Sequence, residues 1–487
     1  MATGTLMLQG TGSDVGKSVL TAGLARACVL RGLAVRPFKP QNMSNNAAIA
    51  ADGGEIGRAQ WLQAKAARVA PSHHMNPVLL KPDSDGGAQL VIRGQAVSRA
   101  EAGWFRGQRQ TWLATVIDSF ERLRQEADLV LVEGAGSAAE VNLRAGDIAN
   151  MGFARPTNTP VVLVADINRG GVIAAVVGTQ AVLASGDREM IKGFIINQFR
   201  GNPALFDDGY RLISETTGWR GFGVLPFVPA ARRLPAEDAV VLERSAPVAG
   251  GRRRIVVPKL PRIANFDDFD PLALEPDVEL VFCPPGSALP GDAALIILPG
   301  SKATISDLRF LKQQGWDIDI QAHVRRGGHV LGICGGYQML GHWVHDPDGI
   351  EGAVDREPGL RLLDVETVLE AEKTTLDVTA TAADFDRSLT GYEIHVGRTD
   401  AGGDVRPWLY RESRVIGHAD PDGRVLGGYL HGLFGNDDFR RYYLNTLGVV
   451  ADDSLNFTAT VDSALDDLAA AMEQHLDIDG LLETAGL

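Results

Sequence analysis

The sequence predicts an α/β protein of two units: an N-terminal doubly wound, parallel-sheet domain carrying a phosphate loop, and a second α/β domain behind it. Three observations lead there. A chain of 487 residues is too long for one hydrophobic core. Short runs that are apolar on both faces alternate with helix-like stretches, as buried parallel strands and their crossovers do. The series then pauses in a Pro-, Ala- and charge-rich stretch at 229–254, PAARRLPAEDAVVLERSAPVAGGRRR, before starting again.

In the first half TLMLQG, LAVRPFKP, ADLVLVEGAG, PVVLVADI, IKGFIINQF and GFGVLPFV read as strands, with crossover helices near 17–31, 55–70, 109–127 and 172–184. RIVVPKL, VELVFC, AALIILPG and HVLGIC open the second series. The expected divisions are 1–235, 252–450 and a helical extension at 451–487. In that extension DSALDDLAAAMEQHLD fits an amphipathic helix packed on the second domain, its acidic residues forming a solvated face.

Composition narrows the function. With 45% hydrophobic and 22% charged residues the chain is globular in type. Lys and Arg number 47 against 61 Asp and Glu, a net charge of -14, which disfavours nucleic acid or an anionic membrane as partner. Cys28, Cys283 and Cys334 are widely spaced, which suits a reducing cytoplasm better than a disulfide framework or zinc site. No secretory leader or long apolar span is evident, so the expectation is cytoplasmic. A homo-oligomer is compatible with the sequence, which does not set the oligomeric state.

GTGSDVGKS, residues 10–18, follows the first strand and opens a helix. It departs from G-x-x-x-x-G-K-[ST] in having Thr11 at the first glycine position, with Gly10 and Gly12 on either side. Backbone N–H groups and a helix N-terminus there suit phosphate oxygens. Gly12, Asp14, Gly16, Lys17 and Ser18 are therefore candidate ATP contacts, with Lys17 on the outer phosphates and Ser18 on Mg²⁺. Lys39, Glu133 and Asn197 stand at strand ends, where ligands bind in such sheets. Glu133 suits Mg²⁺, and Asn197 an adenine edge. Asp52, in ADGGE, is a candidate third Mg²⁺ ligand. QNMSNNA is too polar for core and reads as a binding loop.

HVLGICGGYQML carries a strand, a tight glycine-flanked turn and a helix, the nucleophile-elbow pattern with Cys334 at the tip. A sulfur nucleophile needs a proton-handling partner. His431 in YLHGLFGN and His395 in GYEIHVG both qualify, and spacing does not choose between them.

GICGGYQML with YLHG resembles the class I glutamine amidotransferases. FKPQNMSNNA, DGGEIGRAQ, MNPVLLKP, EVNLRAGDIANMGFA, NFDDFDPL, PGSKATISDL, GYEIHVG and YLHGLF extend the resemblance across nearly the whole chain, to the cobyric acid synthase family. The phosphate loop resembles that of dethiobiotin synthetase. The resemblance implies ATP- and glutamine-dependent amidation of the b, d, e and g carboxylates of adenosylcobyrinic acid a,c-diamide. Cys334 would attack glutamine and His431 move protons, with oxyanion donors near Gly300 and Gly335. Gln41, Asn42 and Asn45 would meet the corrinoid. Two departures stand out. His431 is followed by Gly432 and Leu433 where related enzymes carry Pro-Glu, implying a Cys–His dyad, and Asn168 stands where the family usually has Asp. The alternatives are an a,c-diamide synthase and a non-catalytic nucleotide switch, which a working Cys334 would exclude.

Overall fold

The computed structural model describes residues 3–84, 87–101, 109–236, 252–352 and 354–487. The middle of the expected boundary stretch, 237–251, lies outside them. All six first-half strands form one parallel sheet, in the spatial order 220–226, 191–199, 161–166, 4–10, 129–133, 35–38. The chain leaves strand Gly4–Gly10 toward one edge and later adds strands on its other side, so the loop after Gly10 sits where the winding reverses. Strands such as Leu129–Glu133 are buried at every position, as their unbroken apolar run requires.

The second half builds an eleven-stranded sheet. Its parallel part runs Val278–Cys283, Arg253–Pro258, Leu295–Leu298, His329–Ile333, Val425–Gly428. A long antiparallel hairpin, Val365–Ala382 with Phe385–Ala401, belongs to the same sheet. It carries Tyr392 and Ile394 against Ala47 and Ile49 of the first domain.

Two elements were not foreseen. Gln41–Met43, inside the expected polar loop, is a strand in a small sheet with Val78–Ser84, Gly87–Ile92 and Gln95–Glu101. The C-terminal helix Phe457–His475 does form, but it packs on the first domain and not on the second. Gly23 of helix Lys17–Leu30 makes the flat seat: a Cβ there would meet Leu468 Cγ and Met472 Sδ at 2.7 Å. Nor are its acidic residues a merely solvated face. Asp462 and Asp466 pair with buried Arg26, Asp462 also with Lys65, and Asp467 with Arg233. Charge complementarity thus selects the partner that amphipathicity alone leaves open.

Candidate active site

The two sites are built by different domains. The first lies at the carboxyl ends of the central parallel strands. Gly16, which opens helix Lys17–Leu30, has φ 91°. A Cβ there would also collide with the Asn197 amide, so both backbone and neighbour demand glycine. Lys17 Nζ curls over its own loop, donating to the carbonyls of Gly12 at 3.1 Å and Gly136 at 2.8 Å. Glu133 is the hub. Its Oε1 accepts from Ser18 Oγ at 2.7 Å and Lys39 Nζ at 2.9 Å, and its Oε2 from Gln63 Nε2 at 2.6 Å. The cavity lined by Lys17, Ser18, Lys39, Glu133 and Gly136 measures about 1250 Å³; Gly12 and Gln63 are not among its lining residues. Ordinary small-molecule pockets span roughly 300–1,000 Å³, so this cavity lies somewhat above that range.

The second site sits at the end of strand His329–Ile333. There the chain turns so sharply that Cys334 takes φ 53° and ψ −110°, and helix Gly335–Leu340 begins at the next residue. Side-chain bulk is excluded at Gly336, where a Cβ would run into the Leu298 backbone. His431 follows strand Val425–Gly428, which pairs directly with the cysteine's strand, so neighbouring strand ends deliver thiol and imidazole together. The two side chains interact. Gly300 and Gly335 flank the pair: a Cβ on Gly300 would meet His431 Cε1 at 3.1 Å, and one on Gly335 the Ser301 backbone N at 3.0 Å.

The expected dyad needs correction, because a third residue completes it. Asp268 Oδ2 lies 2.7 Å from His431 Nδ1, and Asp268 Oδ1 accepts the Gly432 N–H at 2.6 Å. Tyr392 stacks on the imidazole at 5.1 Å and 14°, and the two residues exchange backbone hydrogen bonds. Burial alone would push the imidazole's pKa down. Asp268, and then Cys334, reverse this and raise it to about 10. With Nδ1 held by the carboxylate, Nε2 is left for the thiol, the base–orienter arrangement of a nucleophilic triad.

The remaining expected residues divide. Gln41, Asn42, Asp14 and Asn197 line the large cavity, and Asn45 is not among its lining residues. The Asn45 amide donates instead to the Pro82 carbonyl at 3.1 Å, across the small sheet. The Asn197 amide donates to the Val15 carbonyl at 2.8 Å, bracing the phosphate loop. Asp52 does not join Ser18 and Glu133. Its carboxylate accepts from Ser72 Oγ at 2.6 Å and the His73 N–H at 3.0 Å, and it does not line the cavity. Asn168 Oδ1 accepts from Arg200 Nε at 2.7 Å. His395 is paired with Glu393 at 3.1 Å and stacked on Tyr429 at 3.8 Å, which leaves the thiol to His431.

Residues 6–241 match the CobQ/CobB/MinD/ParA nucleotide binding domain, and residues 254–439 the CobB/CobQ-like glutamine amidotransferase domain. The chain is 59% identical to the cobyric acid synthase of Rhizorhabdus wittichii over 483 residues, covering 99% of each. It is 58% identical to that of Brucella anthropi over 478 residues, covering 98% of each. The Methylorubrum populi enzyme is 59% identical over 486 residues, again 99% of each. The chain belongs to the cobyric acid synthase family. The matched regions include both sites.

Sequence reasoning missed Asp268, Gln60 and Gln63. Asp268 stands in NFDDFDPL, an acidic cluster at the start of the second domain, 163 residues from its histidine. The cluster was visible. Its pairing was not.

Proposed function

We propose that the protein converts adenosylcobyrinic acid a,c-diamide to adenosylcobyric acid, amidating the b, d, e and g carboxylates with nitrogen from glutamine at the expense of ATP. One observation carries this reading: a chain nearly 60% identical end to end to cobyric acid synthases holds a buried Cys–His–Asp triad and a phosphate-loop cavity in one molecule.

At the triad, the Cys334 sulfur attacks the glutamine side-chain carbonyl, and backbone N–H groups near Gly300 and Gly335 receive the developing oxyanion. His431, made more basic by Asp268, takes the thiol proton as the sulfur attacks and gives it to the departing ammonia. The resulting thioester is cleaved by water, releasing glutamate. At the cavity, a corrinoid carboxylate oxygen takes the terminal phosphoryl group of ATP, with Lys17 and the loop N–H groups compensating charge. Ammonia then displaces phosphate from the acyl phosphate to leave the amide. Gln41 and Asn42 face this cavity and would contact the corrinoid.

The Ser18 hydroxyl and Glu133 carboxylate lie 2.7 Å apart, hard oxygen donors that fit Mg²⁺. These two residues would hold the ion, which when bound offsets charge on the transferring phosphoryl oxygens.

Mass spectrometry of the corrinoid after incubation with ATP, Mg²⁺ and glutamine tests the reading. Stepwise conversion of four carboxyls to amides is expected. Amidation of the a and c positions only, starting from cobyrinic acid, would assign the protein to the a,c-diamide reaction instead.

A further inference from the structure

One short helix touches both sites. Helix Arg58–Ala66 has nine residues and is about 13 Å long, and it follows directly on strand Glu55–Gly57 at the domain seam. From its first and second turns, Gln60 and Gln63 reach Glu133, and Gln63 also reaches the Ser18 carbonyl at 3.3 Å. From its first residue, Arg58 crosses to the second domain and pairs with Asp267 at 3.1 Å, both side chains nearly buried. Asp267 adjoins Asp268 in the single helical turn Phe266–Phe269. One aspartate of that turn therefore faces the nucleotide domain while its neighbour holds the catalytic imidazole.

The pair is a poor stabiliser. Arg58 Nε and Asp267 Oδ1 are buried without a hydrogen-bond partner, and desolvating two charges offsets much of their attraction. What such a contact does fix is position. The seam around it is correspondingly firm: Asn265, one residue before the turn, donates to the Ala47 carbonyl at 3.2 Å and the Tyr392 hydroxyl at 2.9 Å. The Arg58 backbone N–H in turn bonds to Asn46.

We propose that Arg58 is a positioning residue for glutamine hydrolysis, supplied by the nucleotide domain: it anchors the Asp267–Asp268 turn, and through it the His431 ring, to the helix that also braces Glu133. Hydrolysis is thereby tied to the state of the nucleotide cavity. This deepens the amidotransferase reading and rests on it.

The test uses the full-length protein with Arg58→Ala and Arg58→Lys. For Arg58→Ala, kcat for glutamine hydrolysis falls by about tenfold or more while KM for glutamine stays within about twofold, because Arg58 acts through another residue. Arg58→Lys, which keeps a cation for Asp267, recovers most of the rate. Amidation driven by added ammonium chloride stays within about twofold of wild type, since that route bypasses the triad. ATP with Mg²⁺ alters the wild-type hydrolysis rate and leaves that of Arg58→Ala unmoved. An unchanged kcat, a parallel loss of ammonia-driven amidation, or a wild-type rate indifferent to ATP each overturns the proposal. Failure of the parent reading looks different: no corrinoid amide from either nitrogen source, with the Arg58 effect on hydrolysis intact.

Discussion

Replacing Asp268 by Asn keeps shape and volume while removing the charge behind His431. The new amide carries one acceptor and one donor. Its oxygen is expected to keep the Gly432 N–H, now accepted by Oδ1 at 2.6 Å, because the only alternative leaves that buried donor facing an NH₂ group. The NH₂ group then points at Nδ1, forces the ring proton onto Nε2, and presents the thiol with a donor where it needs a base. The wrong tautomer costs about two to four decades in kcat, or roughly 3–5 kcal/mol. The pH profile changes with it. In the wild type the imidazolium–carboxylate pair contributes fully below the ordinary imidazole value of 6.5 and is lost as pH rises through about 10. In Asp268→Asn the largest raising influence on the imidazole is gone, so the ring loses its proton at lower pH than in the wild type. Glutamate release from glutamine, followed from pH 5 to 10, measures both effects, with ammonia-driven amidation as the control. A hydrolysis rate within about threefold of wild type at pH 7 would refute the triad.

Four further outcomes follow from the same geometry. Cys334→Ser abolishes glutamine-driven amidation and keeps the ammonia-driven reaction; loss of both in a folded protein contradicts two separable sites. His395→Gln retains glutamine hydrolysis within about threefold, because the ring is held by Glu393 and Tyr429 and not by the thiol, whereas His431→Gln does not. Gly16→Ala strains a left-handed turn and drives a methyl group at Asn197, so ATP-dependent phosphate release falls while glutamine hydrolysis without ATP persists. Gly23→Leu overpacks the seat of the C-terminal helix by about 1–3 kcal/mol and lowers the melting temperature by several degrees at roughly 2–4 °C per kcal/mol, measured by calorimetry.

Some of this was legible in the sequence and some was not, and particular residues show the difference. Lys17, Ser18 and the turn at Cys334 are local: strand, glycine turn and helix follow one another in the chain, so their geometry is written in consecutive residues. Glu133 was legible as a strand end, and Lys39 as another, and adjacent parallel strands bring both to one hub. Asp52 was misleading because a carboxylate in a polar loop is equally suited to capping a neighbouring turn, which is what it does. His395 and His431 were equivalent on paper. Only the partners acquired in the fold separate them.

By itself, the sequence determined the parallel sheets, the phosphate loop and the cysteine elbow, because each depends on the periodicity and backbone freedom of a few contiguous residues. Tertiary structure alone decided that Asp268 stands behind His431, that the C-terminal helix returns to the first domain, and that helix Arg58–Ala66 spans from one site to the other. Those contacts join residues far apart in the chain, and composition gives an aspartate or an amphipathic helix several acceptable partners. Burial and charge pairing choose among them only once the sheets have fixed where each element lies.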